Sequence, residues 1–434
     1  MKNRSRLSAA AVLTATALAL TACASGASSG SGSNTDDKGV TSLELWTHNG
    51  GNKVELDLNK KVVNDFNASQ TKYKVNIKSF PQAAYNDAVT AAASARKLPC
   101  VMDIDSPNVP NWAWAGYLEP LSLDQSLFAN QLPSTLGKID DKLYSFGYYD
   151  VALNLVARKS VLQKAGMRIP TVDRPWTAEE FNAGIAKIKA SGDFKYPLDM
   201  GTSGTGEWIP YAYSPILASF GGDLINRDGY TTAEGAINGP GAIAYAQWFQ
   251  KIVEDGYAAK KSGADATADF VNGKTAIMWS GSWAADAVTK KFGNDVAFLP
   301  PVDFGQGPKI GGGSWQWGVS SNCAAKDGAM EYMKFSAQPK YFVDYPKTLS
   351  LIPVTPEAAE QIPAYAPGGK YRIFYDLASK YALVRPVTPA YPFISTTFAK
   401  ANSDILSGGD PQTILDKAAK DIDNNIKSNG NYQY

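Results

Sequence analysis

The hydrophobic positions that follow residue 40 switch between two periods. In TSLELWTHN, Leu43 and Leu45 fall on one side of an extended chain and Glu44 and Trp46 on the other, as in a half-buried strand. The next segment has apolar residues at helical spacing, and the alternation then returns. The pattern predicts strands at 41–49, 73–80 and 100–105 and helices at 54–66 and 85–92. Elements in this order are typical of an α/β layer with a mainly parallel sheet.

A similar alternation resumes after residue 150. Another helix begins at Thr177, whose hydroxyl forms a capping box with the Glu180 carboxylate three residues later. Because about four hundred residues exceed what one hydrophobic core normally holds, we predict two domains. In this part of the chain we also predict strands at 151–158 and 274–280 and helices at 160–166, 240–255 and 411–427.

The first residues have the composition of a secretory leader. MKNRSR carries three cations, and LSAAAVLTATALAL is an apolar run long enough for export but short for a membrane span. The run closes at Leu-Thr-Ala-Cys, which resembles the lipobox of bacterial lipoproteins, in which the cysteine is lipidated. We therefore predict a signal peptide at 1–22 and lipidation of Cys23. The alternative is an ordinary signal peptide cleaved after Ala22, with Cys23 incidental.

Residues 24–39, ASGASSGSGSNTDDKG, contain no apolar side chain larger than alanine. Such a segment cannot bury enough surface to fold, so we predict a flexible tether at 23–40. No later segment has an apolar run of membrane-spanning length. The folded part is therefore expected at the extracellular face of the cell membrane, held there by lipid on Cys23.

Charge and composition limit the functions that the chain can be expected to have. Removal of the leader takes the net charge from +1 to −2, which gives no electrostatic reason to bind nucleic acid. The chain is instead rich in aromatic residues, with 10 Trp, 22 Tyr and 17 Phe against one histidine, His48. That histidine and the two remaining cysteines do not make a tetrahedral metal site, so no metal or cofactor is predicted. Cys100 and Cys323 either form a disulfide or remain two buried thiols.

Five segments resemble, in order, the extracellular sugar-binding lipoproteins of bacterial ABC importers, the family that includes the maltose-binding proteins. The segments are DIDSPNVPNWAWAGYLEPL, KLYSFGYYDVALNLVARKSVLQKAGM, FVNGKTAIMWSGSW, GGGSWQWGVS and RPVTPAY with the helix after it. The resemblance implies a two-lobed, periplasmic-binding-protein-like α/β fold. Each lobe would be a mainly parallel sheet flanked by helices, with the ligand in the cleft between lobes. It also implies a monomer that delivers its ligand to the membrane permease subunits of the importer.

The resemblance further implies three passages of the chain between lobes. Glycines 311–313 would let the backbone flex at the second passage. The passages are expected near 149–152, 316–319 and 350–354. The first lobe would comprise 41–150 and 319–352, and the second 151–317 and 353–434.

One departure from the family pattern concerns a cysteine. Pro99-Cys100-Val101 stands where the family commonly has Pro-Asp-Val. In the family, the strand that ends near Cys323 runs antiparallel to its neighbours, so the start of one strand meets the end of the other. This relation, which the resemblance implies, favours the disulfide over free thiols.

A sugar ring has C–H bonds on its faces and hydroxyls around its rim, so aromatic rings suit the faces and polar side chains the rim. Ligands of open α/β sheets gather at the carboxyl ends of strands. Several aromatic platforms favour an oligosaccharide of two or more units. Candidate ligand-binding residues combine these types with strand ends or resembling segments: Trp46, His48, Asn49, Tyr85, Asp105, Tyr148, Tyr149, Asp150, Trp208, Trp283, Trp315 and Trp317.

Alternatives stay open for several side chains. Trp315 and Trp317 either project into the cleft mouth or pack beneath the hinge. His48 either contacts ligand or is a satisfied surface residue. Arg385 either bridges the lobes or only holds the C-terminal segment.

The primary functional prediction is a sugar-binding protein that is not an enzyme. The alternative is a secreted carbohydrate-active enzyme, which needs two carboxylates about 5–10 Å apart. Asp105, Asp150 and Glu207 are the acidic candidates for such a pair. A surface adhesin, with its aromatic residues in an exposed patch, is the third possibility.

Overall fold

Two separate β-sheets, each flanked by helices, organise the chain. The computed structural model describes residues 33–37 and 39–433. An eight-stranded sheet forms the centre of the first lobe and a four-stranded sheet forms that of the second. Two short two-stranded ribbons complete the pairing. The predicted two-lobed α/β fold is therefore confirmed.

The predicted elements all appear among the strands and helices of the described chain. The strands are β1 Ser33–Thr35, β2 Thr41–Thr47, β3 Tyr73–Ser79, β4 Val101–Asp105, β5 Leu118–Glu119, β6 Leu136–Ile139, β7 Lys142–Phe146, β8 Tyr149–Asp150, β9 Leu153–Arg158, β10 Tyr196–Asp199, β11 Thr275–Gly281, β12 Val296–Leu299, β13 Ile310–Gly311, β14 Trp315–Ser320, β15 Ile352–Pro353 and β16 Ala382–Leu383. The helices are α1 Lys53–Ser69, α2 Gln82–Ser94, α3 Val109–Trp114, α4 Lys159–Lys164, α5 Ala178–Ser191, α6 Trp208–Ser219, α7 Pro240–Glu254, α8 Ala266–Val271, α9 Ala285–Phe292, α10 Lys326–Ser336, α11 Pro339–Leu349, α12 Pro356–Gln361, α13 Arg372–Tyr381, α14 Tyr391–Leu406 and α15 Pro411–Ser428.

Both sheets mix parallel and antiparallel pairs. The first has the order β1-β2-β4-β14-β7-β6, with β3 beside β2 and β5 beside β14, and the second has the order β10-β11-β9-β12. Only β2–β3, β2–β4 and β10–β11 are parallel pairs within these two sheets of the described chain. The prediction of mainly parallel sheets is therefore wrong for both lobes.

The antiparallel pairing follows from where the chain enters each lobe. β4 ends at Asp105, and β14 begins opposite it at Trp315. In the second sheet, β11 ends at Gly281 opposite Leu153, where β9 begins. A strand that enters a lobe from the cleft starts at the edge where its neighbours end, so it must run against them.

The second passage between lobes lies earlier than predicted. β13 pairs with β16 of the second lobe, whereas β14 already pairs with β4 from Trp315 onwards. Residues 312–314 therefore make this passage, and the predicted passage at 316–319, with its lobe boundary, is wrong. The segments predicted for the other two passages contain β8 and β15, which pair with each other.

Each lobe has its own hydrophobic core. The four-stranded sheet packs with α5, α6 and α7 and with the C-terminal helices α13 to α15. The eight-stranded sheet is covered by α1, α10 and α11 on one face and by α2 and α3 on the other. The predicted capping box of Thr177 and Glu180 is present at the start of α5.

Cys100 and Cys323 form a disulfide. β14 runs antiparallel to β4, with Val319 opposite Val101. The residue before β4 and the residues after β14 therefore lie at the same edge of the sheet. The bond joins two positions that are 223 residues apart in the chain.

Part of the segment predicted to be a flexible tether is a strand. Ser33–Thr35 forms β1, which pairs antiparallel with the first residues of β2. Backbone hydrogen bonds to a strand edge do not require apolar side chains, so the composition of 23–40 did not exclude this pairing. The predicted signal peptide at 1–22 and Cys23 lie outside the described residues. Within the described residues, no helix combines the length and apolar character needed to span a bilayer.

The disulfide is expected to stabilise the folded chain, because it closes a long loop in the unfolded state. A Cys100→Ser, Cys323→Ser double variant should lose about 3 kcal/mol of unfolding free energy. Urea denaturation followed by circular dichroism measures the change. The urea midpoint of the wild-type protein in reductant should match that of the double variant. Equal midpoints for the variant and the oxidised wild type would contradict a stabilising role.

Candidate functional site

A cleft of about 760 Å³ lies between the two lobes. Its lining comes from strand ends, from first turns of helices and from the passages between lobes. The lining residues are His48, Gly51, Asn52, Glu55, Gln82, Asp105, Tyr149, Val151, Glu207, Trp208, Tyr211, Trp283, Gly313, Ser314, Trp315, Leu351 and Arg385.

The first-lobe wall is built around His48, which follows β2. Its Nδ1 lies 2.5 Å from Oδ2 of Asp103, a buried residue of β4. The imidazole stacks on the indole of Trp315, with ring centroids 3.6 Å apart. Burial opposes the charged imidazole, but attraction to Asp103, with Glu55 and Asp105, raises the pKa of His48 above its usual value.

Glu55 lies beside this pair in the first turn of α1. Asn52 caps that helix, accepts a hydrogen bond from the Glu55 backbone N–H and donates its amide to Glu55 Oε2 at 3.0 Å. Tyr149 donates its hydroxyl to Glu55 Oε1 at 2.6 Å. Burial raises the pKa of Glu55, while His48 and the Tyr149 hydroxyl act in the opposite direction. The carboxyl is thus held in place before any ligand arrives.

Three aromatic rings form the second-lobe wall. Trp208 and Tyr211 lie in the first turn of α6, and Trp283 follows β11, with all three pairs of ring centroids 6.4 Å apart. Trp208 donates its Nε1–H to the carbonyl of Gly201 at 2.9 Å. Trp283 is 44% exposed, an unusual degree for so large an apolar side chain.

The backbone at Gly281 makes room for the exposed indole. A Cβ at this position would lie 2.0 Å from the Trp283 ring. Any larger residue would therefore displace the indole from the end of β11. The Gly-Ser-Trp sequence after the strand holds the ring against the backbone.

Arg385 connects the walls. Its Nη1 lies 2.6 Å from Oε1 of Glu207 in the second lobe, and its Nη2 lies 3.4 Å from Oγ of Ser106 in the first. Glu207 also accepts hydrogen bonds from Tyr391 and Ser395. Of the two roles considered for Arg385, the structure supports bridging the lobes.

Asp105 is one of three acidic residues that line the cleft, with Glu55 and Glu207. It ends β4 opposite Trp315 and lines the cavity. Burial raises the pKa of Asp105 to about 6, with Arg385 lowering it and Glu207 raising it. The carboxyl therefore changes charge close to neutral pH.

The glycines before β14 allow neighbouring residues to pack closely against the backbone. Gly313 has φ of +108°, and a Cβ there would lie 2.7 Å from Oγ of Ser106. Its N–H donates to Oδ1 of Asp150 at 2.9 Å. Residues 311–313 are all buried. The left-handed backbone at Gly313 brings the passage against the first lobe and presents Trp315 at the cleft edge.

Six predicted site residues line the cleft. They are His48, Asp105, Tyr149, Trp208, Trp283 and Trp315.

Three predicted residues lie beneath the first-lobe wall instead of lining it. Trp46 points to the sheet face covered by α2 and packs against Phe80, with centroids 4.7 Å apart. Tyr85 is fully buried, and its hydroxyl donates to the Trp46 carbonyl. Asn49 is 1% exposed and accepts from Asn59 at 2.5 Å. Packing inside the lobe and these internal hydrogen bonds keep all three side chains out of the cleft.

The other three are buried at the hinge or in the first core. Tyr148 stacks on Tyr345 with centroids 4.3 Å apart. Asp150 is fully buried and accepts hydrogen bonds from Ser134 and from backbone N–H groups. Trp317 lies two residues further into β14 than Trp315, where it is 6% exposed. The prediction that these side chains line the cleft is wrong.

Several lining residues were absent from the predicted set. Glu55 and Tyr211 lie in first turns of helices, and the rule applied to strand ends did not extend into those turns. Arg385 was expected either to bridge the lobes or only to hold the C-terminal segment, and not to line the cleft. The unpredicted polar and aromatic members are Asn52, Glu55, Gln82, Glu207, Tyr211, Ser314 and Arg385.

Metal binding has no candidate site in the described chain. Within residues 33–37 and 39–433, no three His, Cys, Asp or Glu side chains are grouped so as to hold a metal ion.

The raised pKa of Asp105 predicts a stability that depends on pH. The folded state keeps this proton up to about pH 6, whereas an unfolded aspartate loses it near 3.9. The free energy of unfolding should therefore fall as the pH rises from about 4 to about 6. Asp105→Asn should flatten this part of the profile. Urea midpoints at pH 4.5 and 7 measure the effect, with Asp87→Asn on the exposed side of α2 as the control. A parallel profile for wild type and Asp105→Asn would refute the assignment.

Known proteins resemble the chain over much of its length. A lipoprotein of unknown function encoded in the oleD 5′ region of Streptomyces antibioticus is 25% identical over 65% of this chain and 64% of its own length. The maltodextrin-binding protein MdxE of Bacillus subtilis is 22% identical over 68% of this chain and 69% of its own.

The fold has solved counterparts. The crystal structure of the cyclic α-maltosyl-1,6-maltose binding protein from Arthrobacter globiformis matches with a TM-score of 0.75 and 21% identity, over 89% of this chain and 99% of that one.

A family profile for bacterial extracellular solute-binding proteins matches residues 61–368, which is well over half of the chain. The chain belongs to the bacterial extracellular solute-binding protein family.

Proposed function

We propose that the protein binds an extracellular oligosaccharide in the cleft between its lobes and delivers it to an ABC permease. The observation that carries the proposal is the pairing of aromatic rings from both lobes across one cavity. Trp315 belongs to the first wall and Trp208, Tyr211 and Trp283 to the second. Carboxyl, amide and guanidinium groups lie between them.

This arrangement suits the chemistry of a sugar. Indole and phenol rings offer flat apolar surface for the C–H faces, at low entropic cost. Charged groups make the stronger hydrogen bonds to hydroxyls at the rim. Asp105, Glu55 and Arg385 supply such groups in the lining. The two kinds of contact together would fix the orientation of each ring.

The size of the cleft supports a ligand with more than one sugar ring. Its volume of about 760 Å³ is in the upper part of the range of about 300–1,000 Å³ for ligand sites. Separate aromatic platforms on opposite walls can hold separate rings. The names of two relatives agree with this class of ligand, since one binds maltodextrin and the other a cyclic maltosyl-maltose.

Transport would follow from closure of the lobes. A ligand that contacts both walls favours the closed state over the open one, and the closed protein would then dock on the permease. We propose that a lipid on Cys23 keeps a monomeric protein at the extracellular face of the membrane. The Leu-Thr-Ala-Cys sequence and the lipoprotein relative from Streptomyces support this anchoring.

The carboxyl groups fit binding better than glycoside hydrolysis. Both oxygens of Glu207 accept hydrogen bonds from protein donors, so neither is free to donate a proton to a leaving group. Asp150 is fully buried and outside the lining. Glu55 also lines the cleft, but its two oxygens accept hydrogen bonds from Tyr149 and Asn52. Asp105 is therefore left without a similarly unoccupied partner, whereas hydrolysis needs a pair.

Trp283 provides the most direct test of the platform role, because its exposed indole contributes little to the core. Trp283→Ala should weaken oligosaccharide binding by about 2 kcal/mol, or about thirtyfold in Kd. Calorimetry with maltodextrins and other neutral oligosaccharides measures the change. Trp114→Ala is the matched control, because Trp114 contacts Tyr432 near the end of the chain and does not line the cleft.

The same samples separate binding from catalysis. Saturable binding without new reducing ends supports the proposal. Release of shorter sugars would favour the enzyme alternative. Equal affinity of Trp283→Ala and wild type would remove the cleft as the binding site.

A further inference from the structure

His48 is the single histidine of the chain and lies flat against Trp315. The two rings are 3.6 Å apart at their centroids and inclined by only 10°. Tyr85 meets the same indole at its edge, with centroids 5.7 Å apart and planes at 73°. One face of Trp315 is therefore covered from within the first lobe. The opposite face is what the indole can offer to a ligand in the cleft.

Both nitrogens of the imidazole are engaged inside the lobe. Nδ1 donates to Asp103 at 2.5 Å, and in the neutral tautomer Nε2 accepts from the Asn49 amide at 3.0 Å. Asp103 and Asn49 are each 1% exposed. The hydrogen bonds at opposite sides of the ring hold its plane, because tilting the ring would break at least one of them.

The residues that hydrogen-bond to the imidazole are held in place by further hydrogen bonds. Asn49 Oδ1 accepts from the Asn59 amide at 2.5 Å. The Thr47 hydroxyl lies 2.5 Å from Asn49 Oδ1 and 3.0 Å from Asp103 Oδ2, so its single proton serves one or the other of these acceptors. Asn59 Oδ1 accepts from the Tyr345 hydroxyl at 2.5 Å. The position of the imidazole is therefore fixed by a buried network that joins β2, β4, α1 and α11.

We propose that His48 is a positioning residue that holds Trp315 as a one-sided platform for a sugar ring. The proposal rests on the proposed function, since it takes an oligosaccharide as the ligand. His48 borders the cleft, but its hydrogen-bonding atoms serve the first lobe. His48 would therefore affect ligand affinity indirectly, through the position of the Trp315 indole. A platform that is already fixed loses less side-chain freedom on binding, which increases affinity.

A double-mutant cycle tests whether His48 acts through Trp315. His48→Ala should weaken oligosaccharide binding roughly three- to tenfold, the equivalent of one aromatic contact. The same change made in a Trp315→Ala background should have little further effect, because the indole that it positions is gone. Additive losses would mean that His48 contacts the ligand independently and would overturn the proposal. Calorimetry supplies the four dissociation constants.

A conservative variant and a second cycle serve as controls. His48→Phe keeps a flat ring over the indole but loses the two hydrogen bonds that hold its plane, so its Kd should lie between those of wild type and His48→Ala. Affinity as low as that of His48→Ala would contradict stacking as the mechanism. His48→Ala combined with Trp283→Ala, in the other lobe, should give additive losses. Coupling of the same size in that cycle would also overturn the proposal.

Nuclear magnetic resonance of wild-type protein tests the stack even where a His48 variant fails to fold. The single histidine gives one Cε1–H signal, and the ring current of a parallel indole should shift it upfield. Trp315→Ala should abolish that shift, and Trp283→Ala should preserve it. A signal that Trp315→Ala leaves unmoved would overturn the stack. Absence of any oligosaccharide binding by the wild type would instead reject the proposed function, while the shift would still report on the stack.

Discussion

The site depends on one constraint, which is that strands of two different sheets end or begin at the same crevice. β2 and β4 deliver His48 and Asp105 from the first sheet, and β11 delivers Trp283 from the second. The chain also enters each sheet from this crevice, which is why β9 and β14 run against their neighbours. The geometry that makes the sheets mixed is therefore the same geometry that brings aromatic residues from both lobes together.

In each lobe, hydrogen bonds within the protein engage polar groups next to the aromatic rings and leave the aromatic faces free for a ligand. In the first lobe, Asp103 and Asn49 engage the imidazole that supports Trp315. In the second, Glu207 at the start of α6 is bound by Arg385, Tyr391 and Ser395. Unpaired polar groups in such positions are costly, and most atoms of these networks have partners within the protein, whereas Asp103 Oδ1 has none in the described chain. Under the proposed function, specificity would rest on the few groups left to the ligand, such as Asp105.

Much of the fold could be predicted from the sequence, because hydrophobic period and helix caps are local signals. The site was predicted in part. Strand ends identified His48 and Asp105, but periodicity alone could not tell that Trp315 lies at the cleft edge and Trp317 two residues inside the lobe. Sheet direction and the second passage depend on which end of the sheet the chain enters. That property is set by contacts between distant segments, such as β13 with β16, and not by the residues of β14.

The most direct measurement is a crystal structure of the protein with an oligosaccharide that binds it in solution. The account predicts sugar rings against Trp315 in the first lobe and against Trp208 or Trp283 in the second, with rim hydroxyls bonded to Asp105 or Arg385. A sugar bound outside the crevice, or held by one lobe alone, would contradict it.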